Sequence, residues 1–377
     1  MSAVWITNAA AVTPLGNDPG ELWQRLLAGQ TSIKPVTRFR TDNYHADLAS
    51  CFDDLDPASG GSRGPTLLER LIPQIGPVPS EALLITATTK GGIDNLERTR
   101  RDLPAEARDM LLANMAEKIC AQLGLTGGSL NINAACASST LAVAQGAALI
   151  ATGGVETVLI ACMDLVTEFV FSGFSALQAL STTPCRPFDR KRSGLSLGEG
   201  AAALLLMSEA RARREERSHL GTVLGWGAAN DAHHITAPDP NGHGLQQAIE
   251  QALKRARLYP EDIIAISAHG TGTIYNDRME LKAFKTVFGD RRIPIYSVKG
   301  AIGHTLGAAG GIEVALGLKS LATQTVPPTV GFTNPEAGAE GCVSPTSLKI
   351  AGECLLTTNS GFGGINAALI LGKGWAS

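Results

Sequence analysis

The 377-residue chain has few aromatic side chains (5%), little charge (18%) and a formal net charge of only −3. Proteins that bind nucleic acid usually present basic surfaces, and often aromatic side chains on which bases stack. A sequence with so little of either is not expected to bind nucleic acid.

Metal-binding cysteine motifs and long hydrophobic runs are also missing. The seven cysteines are odd in number and show no CxxC spacing, which argues against a zinc site or a disulfide framework. Apolar runs such as AAALLLM at 201–207 are too short to span a bilayer. The N-terminus lacks the basic segment of a signal peptide. We therefore expect a cytoplasmic protein with no membrane span and no metal.

What the chain does contain is hydrophobic residues (44%) and 42 glycines, arranged as short apolar runs alternating with helical patterns. This alternation predicts an α/β layered fold with largely buried sheets. The predicted strands are 4–12, 81–89, 128–135, 156–166, 201–209, 221–229, 263–270, 293–300, 347–350 and 367–372. The predicted helices are 19–28, 105–123, 138–152, 173–180, 243–257, 277–288 and 307–323.

A charge-rich stretch, SEARARREERSHLG at 208–221, separates two parts with similar patterns. We predict two halves, residues 1–217 and 218–377, with no flexible linker between them. The arginines of this stretch are either a docking patch for an acidic partner or part of a solvated surface. Interleaved glutamates favour the solvated surface.

Cys136, in NINAACASS, lies between an apolar strand and a helix rich in small residues. A cysteine at a helix N-terminus is a candidate nucleophile, because the unpaired N–H groups and the helix dipole stabilise the thiolate. Most buried cysteines are nevertheless inert, so this interpretation needs partner residues.

Two histidines in the second half are the candidate partners. The strand IIAIS ends in AHGTGT, which places His269 at the start of a glycine-rich loop. SVKGAIGHTLGAAGG places Lys299 and His304 before a glycine-rich helix start. Two histidines at strand-to-glycine transitions predict a shared site with Cys136.

The residue set favours carbon–carbon bond formation over hydrolysis. A cysteine hydrolase uses one histidine as its base, usually oriented by a third group. Two histidines with a lysine suit another task, the stabilisation of negative charge on a carbonyl oxygen that becomes an enolate. Cys136 would then carry an acyl group, and a decarboxylated malonyl thioester would attack its carbonyl carbon.

The chain resembles the elongating β-ketoacyl-acyl carrier protein synthases of the thiolase superfamily over nearly its whole length. The matching segments are VWITNAAAVTPLG, NAACASS, CRPFDRKRSGLSLGEGAA, NDAHHITAP, AHGTGTIYND, KGAIGHTLGAAGGIE, VPPTVGFTNP and NSGFGGINAALI. The resemblance implies the thiolase fold, in which two duplicated α/β halves form five α-β-α-β-α layers. The site would lie where the halves meet.

The resemblance also implies catalytic roles. Cys136 corresponds to the acyl-accepting nucleophile, and His269 and His304 to the pair that promotes malonyl decarboxylation. Lys299 corresponds to a lysine that organises the site electrostatically. Glu313 is expected either to hold this lysine or to be an ordinary helix acid.

Further residues are expected around the acyl chain. The backbone N–H groups of Cys136 and Phe362 resemble the oxyanion hole, and Phe362 resembles a mobile gate between glycines. Phe174 is expected to line the acyl pocket or simply to fill the core. Residues expected to contact the pantetheine arm or to support the site are Thr236, Thr271, Thr273 and His234.

The implied reaction is decarboxylative Claisen condensation of the Cys136-bound acyl chain with malonyl-acyl carrier protein, in fatty acid, polyene or polyketide synthesis. The alternative is a non-catalytic subunit similar to a chain-length factor, although such a partner loses the nucleophile. No metal or redox cofactor is implied, and the substrates are carried by a separate acyl carrier protein.

A homodimer is expected, with a ketosynthase-like heterodimer as the alternative. Candidate carrier contacts are Arg98, Arg100, Arg101 and residues 190–192.

Two departures from the family pattern concern the acyl pocket. The region 50–110 is shortened and divergent, which leaves the acyl-chain length open. Ser360 stands where the family usually has phenylalanine before GFGG, and Ile365 where it usually has threonine.

Overall fold

The computed structural model describes residues 2–56 and 61–374, and its regular elements are all assigned within them. The strands are β1 (Val4–Val12), β2 (Ile33–Pro35), β3 (Leu48–Ser50), β4 (Leu83–Ala87), β5 (Ser129–Ile132), β6 (Thr157–Asp164), β7 (Leu197–Gly198), β8 (Gly200–Ser208), β9 (Gly221–Asn230), β10 (Ile263–Ser267), β11 (Ile295–Tyr296), β12 (Thr325–Val326), β13 (Leu348–Lys349), β14 (Cys354–Gly361) and β15 (Ile365–Lys373). The helices are α1 (Pro19–Leu27), α2 (Arg63–Leu71), α3 (Asp94–Arg100), α4 (Leu112–Leu123), α5 (Ser138–Ala151), α6 (Glu168–Ala176), α7 (Glu209–Arg214), α8 (His243–Ala256), α9 (Ile274–Phe288), α10 (Lys299–Ile302) and α11 (Ala309–Thr323).

The main sheet has the strand order β11-β10-β14-β15-β9-β1-β8-β6-β4-β5. Each half contributes five strands to this sheet. Going outward from the central pair β1 and β9, the five strands of each half are arranged in the order first, fifth, fourth, second and third, counted along the chain. In both halves these pairings are antiparallel, antiparallel, parallel and parallel. The two halves therefore share one topology, as the predicted duplication requires.

Helices α5 and α11 form the middle layer, because they pack on each other and on strands of both half-sheets. Helices α2 and α4 cover the outer face of the first half-sheet, and α8 and α9 cover that of the second. Strand β8 is buried on both faces, with Leu204 in the inner core and Leu205 in the outer one. The predicted five-layer α-β-α-β-α order is confirmed, and burial on both faces explains why the strands read as continuous apolar runs.

Several element boundaries differ from the sequence prediction. Strand β11 covers only Ile295–Tyr296 of the predicted 293–300, and Lys299 begins the short helix α10. The helix predicted at 173–180 is α6 (Glu168–Ala176), which starts earlier because the Thr167 side chain accepts a hydrogen bond from the N–H of Val170. Within residues 2–56 and 61–374, no helix has the length and apolar character needed to cross a membrane.

Candidate active site

The turns that follow β5, β10 and β11 bring Cys136, His269 and His304 together. A ligand atom from each residue (the cysteine sulfur and one ring nitrogen of each histidine) lies within 4.8 Å of the other two. All three side chains are buried. The structure thus joins one residue of the first half of the chain with two of the second, as the sequence predicts.

The turn that carries Cys136 has a strained backbone. Ala135 has a positive φ of 48°, a left-handed conformation that is uncommon for a residue with a Cβ atom. Ser138 Oγ accepts from the N–H of Ala134 (2.9 Å) and donates to the carbonyl of Ala135 (2.6 Å), which closes the turn. This turn places Cys136 directly before the N-terminus of α5, whose N-cap is Ala137.

Burial raises the pKa of the Cys136 thiol to about 11, although the charges of Lys299 and Lys90 favour the thiolate. Cys136 also stands beside the N-terminus of α5, whose partial positive charge stabilises an anion there. The resting thiol is therefore protonated at neutral pH, and its environment supports a thiolate that forms during reaction.

His304 is held as a neutral imidazole. Its Nδ1 accepts a hydrogen bond from the N–H of Leu306 (3.2 Å), and Leu306 has a left-handed φ of 52°. Burial lowers the pKa of His304 well below its usual value, and the nearby positive charge of Lys299 lowers it further. With Nδ1 accepting, the ring proton is on Nε2.

His269 is held by groups on both its ring and its backbone. Its Nδ1 lies 3.1 Å from Nδ2 of Asn359. Its backbone N–H donates to Glu280 Oε1 (2.7 Å), and the N–H of Gly270 donates to Glu280 Oε2 (2.7 Å). Burial, followed by the charge of Lys299, lowers the pKa of His269 well below its usual value. This imidazole is also neutral.

Lys299 and Glu313 form a buried ion pair behind the histidines. Lys299 Nζ lies 2.5 Å from Glu313 Oε1 and 2.5 Å from the backbone carbonyl of His269. Burial raises the pKa of Glu313, whereas the charge of Lys299 and its hydrogen bond lower it. Glu313 therefore holds the lysine, which was one of the two roles expected for it.

A cavity of about 300 Å³ opens onto the three side chains. Phe174 and Phe362 both line it, and their rings stack with centroids 5.7 Å apart. The remaining lining residues named in the sequence analysis are Thr236, Thr271, Thr273 and Ser360. Phe174 therefore belongs to the cavity wall.

His234 is exposed and is not among the lining residues of this cavity. Its Nδ1 accepts from the backbone N–H groups of Thr236 and Ala237, each at 3.1 Å. It thus shapes the loop that carries Thr236.

Asn359 and Glu280 contact the histidines and were not identified from the sequence. Asn359 lies on β14, in the quoted segment NSGFGG, and Glu280 lies on α9, after the loop AHGTGT. The sequence signal that could have identified both residues is their closeness along the chain to these recognised segments. Burial, followed by the charge of Asp277, raises the pKa of Glu280 to about 8.

One of the arginines proposed as a carrier contact is not on the surface. Arg192 is 5% exposed and pairs with Glu336 (2.5 Å) and Asp277 (3.6 Å). Its guanidinium therefore forms ion pairs inside the second half of the molecule. The prediction that Arg192 contacts the carrier protein was wrong.

The fold and the buried cysteine and histidines define a condensing enzyme of thiolase type, and family models agree. The model "Beta-ketoacyl synthase, N-terminal domain" matches residues 1–63 and 85–212, and "Beta-ketoacyl synthase, C-terminal domain" matches residues 220–333. The chain belongs to the β-ketoacyl synthase family.

Individual relatives extend the match to nearly the whole chain. The 3-oxoacyl-[acyl-carrier-protein] synthase 2 of Coxiella burnetii is 28% identical, and that of Staphylococcus aureus (strain COL) is 29% identical, each over 98% of both chains. A β-ketoacyl synthase from Burkholderia phymatum STM815 superposes with a TM-score of 0.90 at 26% identity, covering 99% of this chain and 100% of the other. The ishigamide ketosynthase/chain length factor superposes with a TM-score of 0.88 at 27% identity, covering 99% of both chains.

Proposed function

We propose that this chain catalyses decarboxylative condensation between an acyl group carried on Cys136 and a malonyl group carried on acyl carrier protein. One observation carries the proposal. The Cys136 sulfur and two neutral imidazoles meet within 4.8 Å at one cavity. A malonyl thioester needs N–H donors at its carbonyl oxygen when carbon dioxide leaves, and neutral Nε2–H groups supply them with little reorganisation.

In the first step the acyl group moves from the carrier to Cys136. The bond between the acyl carbon and the carrier sulfur breaks, a bond to Cys136 Sγ forms, and the thiol proton ends on the carrier sulfur. The N-terminus of α5 stabilises the thiolate. The backbone N–H groups of Cys136 and Phe362 are proposed as donors to the acyl oxygen; a Cβ atom added at Gly361 would lie 3.1 Å from the nitrogen of Cys136, which supports this proximity.

In the second step the malonyl C–CO₂ bond breaks and carbon dioxide leaves. The electron pair forms an enolate, whose oxygen is bound by the Nε2–H groups of His269 and His304. The enolate carbon attacks the acyl carbon on Cys136. The C–S bond then breaks, the β-ketoacyl product stays on the carrier, and the released thiolate takes a proton from water.

Hydrolysis is disfavoured by the same hydrogen bonds. A cysteine hydrolase needs a histidine nitrogen with a free lone pair facing the thiol or the water. Here the lone pair of Nδ1 is used in both rings, by Leu306 in one and by Asn359 in the other. The ring nitrogens left for substrate carry protons, which suits binding of an oxygen anion.

The remaining cavity residues are proposed to handle the acyl and pantetheine groups. Phe362, between Gly361 and Gly363, is proposed as the gate and Phe174 as its partner in the acyl pocket. Thr271 and Thr273, whose Oγ atoms lie 2.9 Å apart, are proposed with Thr236 to bind the pantetheine arm. The reaction as written needs no metal or redox cofactor.

We further propose two interaction partners. Exposed Arg100, Arg101, Arg190 and Lys191 are candidate contacts for an acidic carrier protein. A second copy of the chain is proposed to pair along β5, the edge strand of the first half, with a ketosynthase-like partner as the alternative.

The division into halves at residue 217 is proposed because α7 ends at Arg214 and β9 begins at Gly221.

The test is carbon dioxide release from carboxyl-labelled malonyl-carrier protein, together with the mass of the intact protein after exposure to acyl-carrier thioesters. We expect an acyl adduct that is absent in Cys136→Ala, and a decarboxylation rate that falls about 10²–10³-fold in His269→Ala. The native protein should release carbon dioxide and form the β-ketoacyl product. Absence of both the adduct and the release in the native protein would reject the proposal and favour a non-catalytic subunit.

A further inference from the structure

Asn359 is fully buried on β14, and its side chain touches three polar groups of the site. Its Nδ2 lies 2.8 Å from Glu313 Oε2 and 3.1 Å from His269 Nδ1. Its Oδ1 faces the hydroxyl of Thr140 on α5. The amide therefore connects the central helix pair to one of the two histidines.

The chemistry of these neighbours fixes which way the amide points. Glu313, paired with Lys299, is an acceptor, so the group beside its Oε2 has to be the NH₂ of Asn359. The oxygen is then left for the Thr140 hydroxyl, which can donate. The second hydrogen of the NH₂ group faces His269 Nδ1, so this nitrogen is the acceptor and Nε2 carries the ring proton.

The proton on Nε2 has a second consequence, because the three reactive groups also form a metal-ligand set. One thiol and two imidazoles with mutual distances within 4.8 Å are donors that zinc and other thiophilic divalent cations bind. Ligation through Nε2 requires that this nitrogen be free of its proton. Metal-binding histidines usually achieve this by donating their other N–H to a carboxylate or carbonyl.

We propose that Asn359 is a positioning residue that selects the Nε2–H form of His269, and that this selection keeps thiophilic divalent cations out of the site. The proposal rests on the proposed function, since it explains how a Cys-His-His cluster stays available for a carbonyl oxygen. Leu306 does the same for His304 through its backbone N–H. The charged or titratable groups around His269 are Cys136, His304, Lys299, Glu313 and Glu280.

The direct test replaces the donor by an acceptor, in Asn359→Asp. The carboxylate would accept from Nδ1–H, which frees Nε2 of His269 as a ligand. We expect Asn359→Asp to bind Co²⁺ at equimolar concentration with thiolate-to-cobalt charge-transfer bands, and the native protein to show none. The bands should disappear in Asn359→Asp/Cys136→Ala. Without metal, Asn359→Asp should still accept an acyl group on Cys136 but decarboxylate malonyl-carrier protein about 10²-fold more slowly.

Asn276→Asp is the matched control, because Asn276 is a buried amide that donates to the buried Glu280 (2.8 Å). It introduces a carboxylate beside a buried glutamate without facing a histidine ring nitrogen, so it should show no cobalt bands. If Asn359→Asp does not fold, Thr140→Val removes the hydrogen bond to the amide oxygen, so that the NH₂ group keeps its bond to Glu313 but is no longer held against Nδ1 of His269. Thr140→Val should decarboxylate malonyl-carrier protein more slowly and should be inhibited by zinc. Thr140→Ser, which keeps a hydroxyl, should recover the native rate and the native insensitivity to zinc.

Charge-transfer bands in the native protein at equimolar cobalt would overturn the proposal. So would an Asn359→Asp variant, or a Thr140→Val variant where the first does not fold, that shows no metal effect and condenses at the native rate. The proposed function fails separately. A native protein that forms no adduct and releases no carbon dioxide would reject it, whereas the cobalt comparison would still decide whether Asn359 selects the ring proton.

Discussion

At the scale of single residues, two opposing influences act on the ionisation of the Cys136 thiol. Burial disfavours the thiolate of Cys136, while the helix terminus, Lys299 and Lys90 favour it. The balance is on the side of the thiol, with a pKa raised to about 11. A thiol that is mostly protonated at neutral pH is oxidised and alkylated more slowly than a thiolate would be.

This balance predicts how alkylation of Cys136 depends on pH. Because the pKa lies above the measured range, the thiolate fraction rises about tenfold per pH unit, and the alkylation rate should rise with it between pH 7 and 9. The measurement is the rate of iodoacetamide labelling of the Cys136 peptide by mass spectrometry. Cys136→Ala identifies labelling at the half-buried Cys120, Cys342 and Cys354. A plateau below pH 8 would contradict the prediction.

The residues proposed to perform the chemistry were predictable from the sequence, whereas the residues that contact and orient them were not. Cys136, His269 and His304 stand out because each lies at or after the end of a predicted strand and precedes small residues or glycine. Asn359 and Glu280 act through contacts that are distant along the chain. A buried amide or carboxyl becomes recognisable only when its hydrogen-bond partners are known.

At the scale of elements, the site depends on the close approach of α5 and α11. Gly310 on α11 leaves the space that Thr140 of α5 occupies, since a Cβ atom there would lie 2.0 Å from Thr140 Oγ1 and 2.8 Å from Asn359 Oδ1. The glycine-rich start of α11 therefore permits the contact that orients Asn359.

Gly310→Ala should consequently destabilise the protein by about 1–3 kcal/mol through overpacking and reduce condensation. Gly317→Ala is the control in the same helix. A Cβ atom there would meet only flexible side-chain ends, at 3.1 Å (Leu371) and 3.3 Å (Leu355), and the gain in helix propensity is about 1 kcal/mol. Thermal unfolding compares the two variants. Equal melting temperatures for both would show that the space at Gly310 is not required.

Element boundaries were less predictable than element types. Lys299 lies within the predicted strand 293–300, but in the structure it begins α10 and its side chain pairs with Glu313. Apolar patterns identify buried segments without saying where hydrogen-bonded pairing stops. Pairing of β11 is confined to Ile295 and Tyr296 beside β10, and the chain then turns towards the site.

At the scale of the whole molecule, the duplicated topology places β11 and β5 at the two ends of the main sheet. The N–H of Ile295 on β11 donates to the carbonyl of Cys342 (2.9 Å). Composition and alternation predicted a layered α/β architecture, and the family resemblance implied the five layers, but neither predicted the pairing order of the strands. The reason is that strands buried on both faces carry no signal for their neighbours. The exposed edge β5 bears Leu130, which is 37% exposed.

We expect Leu130→Lys to dissociate the proposed assembly along β5, because a charged side chain on an edge strand opposes strand pairing. Leu220→Lys is the control, since Leu220 is 39% exposed and lies before β9, away from that edge. The molar mass in solution, measured by light scattering, should fall to that of one chain only for Leu130→Lys. An unchanged mass for both variants, or a monomeric native protein, would contradict pairing at β5.

The central helix layer, shared by both half-sheets, also has a consequence for folding. The thiol and the imidazoles come from opposite halves of the chain, and α5 and α11 each pack on strands of both half-sheets. Contacts between such distant segments form late, because a long loop must close before they contribute. A newly made chain can therefore acquire its secondary structure early, but it becomes able to accept an acyl group only as the last contacts form.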